Sequence, residues 1–396
     1  MLLDQLVNDL QIEDTILIKF LDKIGNNSTF NEDLFVEFEP QIKDSILKKL
    51  IEIDYISLQY RYECELNDEI VFLIKDVDSK CEYCGDLLTN NHHLVRNIYT
   101  NKTRTLLNEI TEYKQQKILK IVDEKYLHNL RLLKQDLKLG TLIPFVGAGT
   151  SIALGLPNWQ GLIKICSDGL VGRDKREFEN LLDNNGDIFK AIEILLSQSN
   201  TYDISKVKER ISSYIRQNFN TRADEISHNV LDLLKLNSKF YLTTNYDDAL
   251  SIYQTKHNYP LLPSEVNNVQ HFLRANENRV IHLHGIYHRP DTLIVSKGDY
   301  DAIYSNEKLK SLLTSIMSNQ LLFVGFSFKD QYFKDMFQSI KHYIGGSHYI
   351  ILFDIYDYDA QELKDEGLLP ISLKLDNEYG FDRVRLIKEL LNYLLH

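Results

Sequence analysis

Apolar residues at Ile16, Leu17, Phe20, Leu21 and Ile24 recur at the spacing of one helix face, and Ile42, Ile46, Leu47, Leu50 and Ile51 repeat the pattern. Two helices are expected there. The periodicity then changes. YISLQYRYECEL and EIVFLIKD are rich in aromatic and β-branched residues and separate around Asn67-Asp68, which predicts a hairpin. Helical spacing returns from Thr103 to Leu139, through Leu106, Ile110, Ile118, Val122, Tyr126, Leu130, Leu133 and Leu137. No proline or glycine interrupts that stretch before Gly140, so two more helices are expected.

From Thr141 onward the pattern becomes short, wholly apolar runs between helical segments: LIPFVGAG, SKFYLTTN, RVIHLHG, QLLFVGFS and HYIILFD. Runs without a polar face, alternating with helices, predict a parallel sheet covered on both sides. The expected fold class is α/β, a Rossmann-like parallel sheet with a helical insertion at about 160–236, preceded by a small α+β, winged-helix-like domain. The predicted divisions are residues 1–78 for that domain, 79–128 for a connector and 129–396 for the α/β part.

Composition adds little to this, but charge does. Residues 1–78 hold 7 Lys+Arg against 18 Asp+Glu, whereas the rest of the chain holds 38 against 39. An acidic front is a poor grip for phosphates, which argues against nucleic acid as a ligand and for a protein partner. The opening MLLDQLVNDLQIEDT carries acids where a signal peptide needs a basic flank, and no apolar run approaches the roughly 18 residues of a membrane span. A cytoplasmic protein is expected. Four cysteines, only two of them close together in sequence, make no disulfide framework.

Those two, Cys81 and Cys84, form a Cys-x2-Cys-Gly knuckle followed by His92-His93. Two thiolates and an imidazole at this spacing suit a structural zinc site. Cys81, Cys84 and His92 are the candidate ligands, with Cys64 a candidate for the fourth.

Chemistry is expected where the apolar runs stop, because ligands of doubly wound sheets bind beyond the carboxyl ends of the strands. Four runs end in small or polar residues: Gly147-Ala148-Gly149, Thr243-Thr244-Asn245, His284-Gly285 and Gly325-Phe326-Ser327. The dinucleotide fingerprint G-x-G-x-x-G is incomplete, since Ile152 stands at its third glycine, and no Lys-Ser/Thr follows as a P-loop requires.

Together GAGTSIALGLPNW, TTNYDDAL, VIHLHG and VGFSFKD resemble the SIR2-like family, the sirtuin-fold branch found in bacterial anti-phage defence, over residues 130–354. The resemblance implies that Gly147, Ala148, Gly149 and Ser151 line an NAD pyrophosphate loop, with Thr244 at the same rim and Gly325 and Ser327 near the adenosine ribose. It implies catalytic roles for Asn245 and Asp247, from the family's Asn-x-Asp, and for His284, from its histidine-glycine. His282 and His288 compete with His284 for that role. Cleaving nicotinamide from ribose builds positive charge on the sugar, so a site needs an amide to hold ribose and water, a carboxylate and a near-neutral base.

Sirtuin deacylases carry a four-cysteine module between the histidine-glycine and the Gly-x-Ser strand, and residues 286–320 contain no cysteine. The resemblance therefore implies an NAD+ hydrolase, the toxic effector of an abortive-infection system. A deacylase, an ADP-ribosyltransferase and a non-catalytic NAD or ADP-ribose sensor are the rival readings. By the family's habit such an effector is a homo-oligomer switched by a neighbouring protein, either a HAM1-like nucleotide-binding protein, as in the Kongming type, or a HerA-like ATPase.

Overall fold

A computed structural model describes residues 2–74, 76–185, 187–254, 259–265, 279–316, 319–327, 331–375 and 383–395. The chain divides into two compact units, Met1–Lys117 and Ile118–His396.

The first unit contains the helices Leu2–Leu10, Asp14–Gly25 and Pro40–Glu52 and the strands β1 (Thr29–Phe30), β2 (Ile56–Cys64), β3 (Asn67–Ile74) and β4 (His93–Asn101). Both helices expected from periodicity are present, and Leu2–Leu10 is an additional one. The strands form one antiparallel sheet in the order β1-β4-β2-β3. The apolar faces of the helices meet this sheet around Phe20 and Phe35, whose rings stack at 4.0 Å.

Two details differ from the sequence reading. The hairpin turns at Glu65-Leu66 rather than Asn67-Asp68, because Cys64 already pairs with Asn67. Strand β4, placed by the sequence reading in a connector, pairs with β2 from Ile56↔Asn101 to Cys64↔His93. A division after residue 78 would therefore cut one sheet between its third and fourth strands. The winged-helix-like order of helices and hairpin is thus joined by a strand that it did not include.

In the second unit six strands lie parallel: β5 (Leu142–Val146), β6 (Phe240–Thr243), β7 (Arg279–His282), β8 (Gln320–Val324), β9 (His348–Phe353) and β10 (Leu368–Leu373). Their order is β10-β9-β8-β5-β6-β7. Read from β7, this is the 3-2-1-4-5-6 order of the doubly wound fold, with β5 as the first strand and β8 as the fourth. Both faces are buried, one against the helices of the insertion and the terminal helix Arg383–Leu395, the other against Tyr300, Tyr304 and Phe333. This two-sided burial explains why the strands read as unbroken apolar runs.

Strand β10 was not among the expected strands. Its sequence LLPISL contains Pro370, which lacks a donor N–H, and it is the end strand of the sheet, laddered to β9 and touched on its other side by an isolated bridge. The unit also begins earlier than residue 129: Ile118 and Ile121 lie in its core, and Val122 bridges to Leu373. The helix Leu127–Leu139 ends at Gly140, whose φ of +68° is the left-handed cap expected of a glycine there.

The insertion is helical, with Trp159–Lys164, Gly172–Asn180, Ile188–Gln198, Ile204–Asn218 and Val230–Leu234. It is tied to the loops beyond β7. Ser212 donates to the carbonyl of Tyr287 at 2.5 Å, and the buried Lys208 pairs with Asp299 at 2.8 Å. Asp299 is already engaged as part of a capping box with Ser296. Where a four-cysteine module would sit, the chain forms the helices Lys297–Tyr304 and Glu307–Ser315. Among the described residues no helix is long and apolar enough to cross a membrane.

Candidate active site

The order of the sheet reverses between β5 and β8, and the two glycine turns meet there. Gly147 donates to Val324 and Gly149 to the carbonyl of Gly325, both at 2.8 Å. Gly325 has φ +79°, and a Cβ on it would come within 2.8 Å of the Gly147 oxygen and 2.9 Å of the Thr150 nitrogen. A Cβ on Gly147 or Gly149 would approach the Gly325 oxygen to 2.8 Å. The glycines therefore allow two backbones to touch, a use that the sequence reading, directed at a ligand, did not contain. Gly149 remains exposed and Ala148 half-buried on the outer side of the turn.

The third glycine of the fingerprint is needed where a long helix packs tightly on the first strand. Here β5 is followed by two single 3-10 turns, Ala148–Thr150 and Ile152–Leu154, and Ile152 is 57% exposed. The tight approach moves to Gly155, with φ +85° and a built Cβ 2.9 Å from the Asn218 oxygen.

At the ends of β5 and β6 the predicted polar residues form one buried network. The Asn245 amide donates to Gly147 O at 3.1 Å and to Ser151 Oγ at 2.9 Å, with Thr150 Oγ1 at 3.3 Å. Ser151 in turn donates to Asp247 Oδ2 at 2.6 Å, while Asp247 Oδ1 accepts from the Ala249 N–H at 3.1 Å. Thr243 anchors the strand end, donating to Val146 O and accepting from the Asn245 N–H. Thr244 contributes its backbone, donating to Val146 O at 3.3 Å, with its side chain half-buried.

Asn245, Asp247 and Ser151 are all at least nine-tenths buried. The amide nitrogen of Asn245 is fully engaged, whereas its Oδ1 is buried without a partner. A buried acceptor left unmade costs roughly 1–3 kcal/mol, so this oxygen is a strong candidate to receive a donor from a ligand. Burial raises the Asp247 carboxyl above the usual carboxylate range, against the lowering effect of the Ser151 hydrogen bond.

The histidines separate by their partners. His284 is 1% exposed, places Nε2 2.6 Å from the Tyr304 hydroxyl and lies against the Tyr300 and Tyr304 rings. Burial pushes it down to about 3, so it is a neutral imidazole at physiological pH. His282 sets Nδ1 3.1 Å from the Asn245 carbonyl and is likewise lowered to about 4, chiefly by burial. His288 is half-exposed and pairs with Asp248 at 2.9 Å. Tyr304 and Asp248 were not singled out in the sequence. Nothing in their local spacing marks them, since they meet their histidines only across the folded chain.

Ser327 is exposed beyond β8, and Phe326 turns inward onto Phe145 and Phe333 at 5.3 and 5.0 Å. Phe328, Lys329 and Asp330 of the VGFSFKD match lie outside the described residues. Trp159 packs edge-on against Tyr246 at 5.4 Å.

The predicted metal ligands fall in the first unit. Cys81 and Cys84 come together with Cys64 and His93, one ligand atom of each lying within 4.8 Å of the others. His92, the predicted third ligand, groups instead with Cys84 and Asp86. Its Nε2 is 3.5 Å from the Asp86 carboxylate.

A doubly wound sheet with glycine turns interlocked at its switch point, beside a buried amide, carboxylate and imidazole, is the class of α/β domain whose ligands bind beyond the carboxyl ends of the strands. Residues 239–371 match the model of the SIR2-like domain. Over 250 residues it is 24% identical to a protein of Cytobacillus dafuensis named NAD(+) hydrolase ThsA, covering 61% of this chain and 45% of that protein. A Bacillus cereus (strain MSX-D12) protein of the same name is 24% identical over 247 residues, covering 59% of this chain and 45% of its own length. The alignments thus span under half of each relative.

Proposed function

We propose that this chain hydrolyses NAD+ to nicotinamide and ADP-ribose and serves as the toxic effector of a bacterial anti-phage, abortive-infection system. The observation that carries the reading is the unpartnered, buried Oδ1 of Asn245 beside the interlocked Gly147 and Gly325 turns of the switch point. The name of the two relatives supports the same chemistry.

In this proposal the dinucleotide lies across the outer side of the Gly147-Ala148-Gly149 turn, with Ser327 and Gly325 toward the adenosine ribose. Asn245 Oδ1 accepts a hydrogen bond from a ribose hydroxyl or from the attacking water. Water adds to the anomeric carbon as the bond to nicotinamide breaks, and its proton passes to His284 once opening of the rim relieves the burial that holds this ring at about 3. Asp247, with both carboxylate oxygens holding protein donors, is a positioning residue that fixes Asn245 through Ser151.

The side chains assigned to chemistry are buried, so substrate reaches them only when the rim opens. That fits an enzyme held off until a signal arrives, and a partner protein or a nucleotide acting within a homo-oligomer is the proposed switch. The helices filling residues 297–315 argue against a sirtuin peptide groove and hence against a deacylase. Incubation with NAD+, together with the products of neighbouring genes or infected-cell extract, should release nicotinamide. Absence of release under every one of these conditions would reject the proposal. Transfer of labelled ADP-ribose to a protein would favour the transferase, and tight binding of intact NAD+ the sensor.

A further inference from the structure

We propose that Cys64, Cys81, Cys84 and His93 bind one structural zinc ion at the end of the antiparallel sheet of the first unit. Three segments that are separate in sequence deliver the ligands. Cys64 ends β2 and His93 begins β4, and the two are direct partners in the antiparallel register. Cys81 and Cys84 come from the loop that joins β3 to β4.

That loop is folded as a tight knuckle. Cys81 N–H donates to Asp86 O at 2.7 Å, Gly85 N–H to Cys81 O at 3.0 Å, and Tyr83 N–H to Cys81 Sγ at 3.4 Å. Gly85 sits at φ +78° with open space around it, so a left-handed turn rather than crowding makes glycine fit there. Backbone N–H groups pointed at a sulfur favour the thiolate that binds metal.

The spacing fits the ion. A tetrahedral zinc with bonds near 2.3 Å to sulfur and 2.0–2.1 Å to nitrogen sets its ligand atoms roughly 3.6–3.8 Å apart. Cys84 Sγ lies 3.2 Å from His93 Nε2, and all four ligand atoms fall within 4.8 Å of one another. Three soft thiolates and one imidazole suit zinc over magnesium or calcium, which take oxygen ligands.

The packing around the cluster gives the ion a task. Tyr62, Cys64, Cys81 and Leu88 form a small buried group distinct from the main core of the unit. So few apolar side chains hold a loop poorly, and metal ligation is a common substitute. Binding displaces the thiol protons to solvent and cross-links β2, β4 and the knuckle. The fourth cysteine, Cys166, is buried in the core of the second unit and takes no part.

Full-length protein purified under reducing conditions should contain one zinc per chain by elemental mass spectrometry. Cys64→Ser and His93→Ala should lose it, whereas His92→Ala should keep it. Should the ligand variants fail to fold, cobalt reconstitution of the unaltered chain should give the visible bands of a tetrahedral thiolate site. Wild-type chain that holds no zinc after reduction and reconstitution overturns the proposal. So does metal lost in His92→Ala but retained in His93→Ala, or a disulfide among the three cysteines in protein handled under reductant. Metal content is read without any activity assay, so the result stands apart from the NAD+ reading.

Discussion

Two polar clusters sit at the ends of two different sheets, and they are built in opposite ways. At the parallel sheet, Asn245, Ser151 and Asp247 satisfy one another within a large core, and only Asn245 Oδ1 is left open. At the antiparallel sheet, three cysteines and a histidine converge where the local core is only a few side chains. The first cluster is supported by the fold around it and has one valence to offer a ligand. The second gathers metal-ligating atoms with little apolar support, the situation in which a bound ion holds the structure. A polar group held by its surroundings suits chemistry; one that must hold its surroundings suits architecture.

The largest effect that separates the two belongs to the catalytic assignment. His284→Ala and Asn245→Ala should each lower nicotinamide release by about 10²–10⁴-fold while leaving the circular dichroism spectrum and the metal content of the first unit unchanged. Retained activity in both variants would remove the chemistry from this cluster.

Next in size is the switch point. Gly325→Ala forces a left-handed backbone on alanine and drives its Cβ toward Gly147 O and Thr150 N. The expected cost is about 3 kcal/mol, read as a lower midpoint for the unfolding of the second unit in denaturant. A neutral outcome would mean that the two turns do not need to touch.

Acid should then weaken the second unit. His282, His284 and His348 are lowered to about 4, 3 and 4 by burial, so the unfolded chain binds protons that the folded chain refuses between these values and the ordinary 6.5. Stability is full above about pH 6.5 and falls as pH drops through that window, by about 1.4 kcal/mol per pH unit for each imidazole. Thermal melts from pH 7.5 to 5 check the sign; a midpoint that rises toward acid contradicts the burial of these rings.

The smallest effect is Ser151→Ala, which removes one link between Asn245 and Asp247. It should cost about 1 kcal/mol of stability and slow nicotinamide release less than Asn245→Ala does. Equal losses in the two variants would make Ser151 itself part of the chemistry.

Much of the second unit was legible because each buried strand is a short apolar run that stops at a small or polar residue, and the doubly wound fold puts such ends on one rim. Asn245 was found that way, whereas Asp247 and Ser151 came from the resemblance of their motifs to a family. What stayed hidden depends on pairings that no local pattern encodes. The Tyr304 hydroxyl reaches His284 only once the helix Lys297–Tyr304 is packed, and the contact between Gly147 and Gly325 joins two distant turns. Strand β10 was masked by Pro370, which an edge strand tolerates. In the first unit the knuckle was visible from Cys81 and Cys84. The choice of His93 over His92 was not, because it follows from the register that sets His93 opposite Cys64.

The most direct test of the central claim is a chromatographic assay of NAD+ incubated with the full chain and its neighbouring gene products, run beside His284→Ala. The account predicts that NAD+ falls as nicotinamide and ADP-ribose rise in equal amounts with the unaltered chain and not with the variant. NAD+ left intact by the unaltered chain in every combination, or cleaved equally by both proteins, would contradict it.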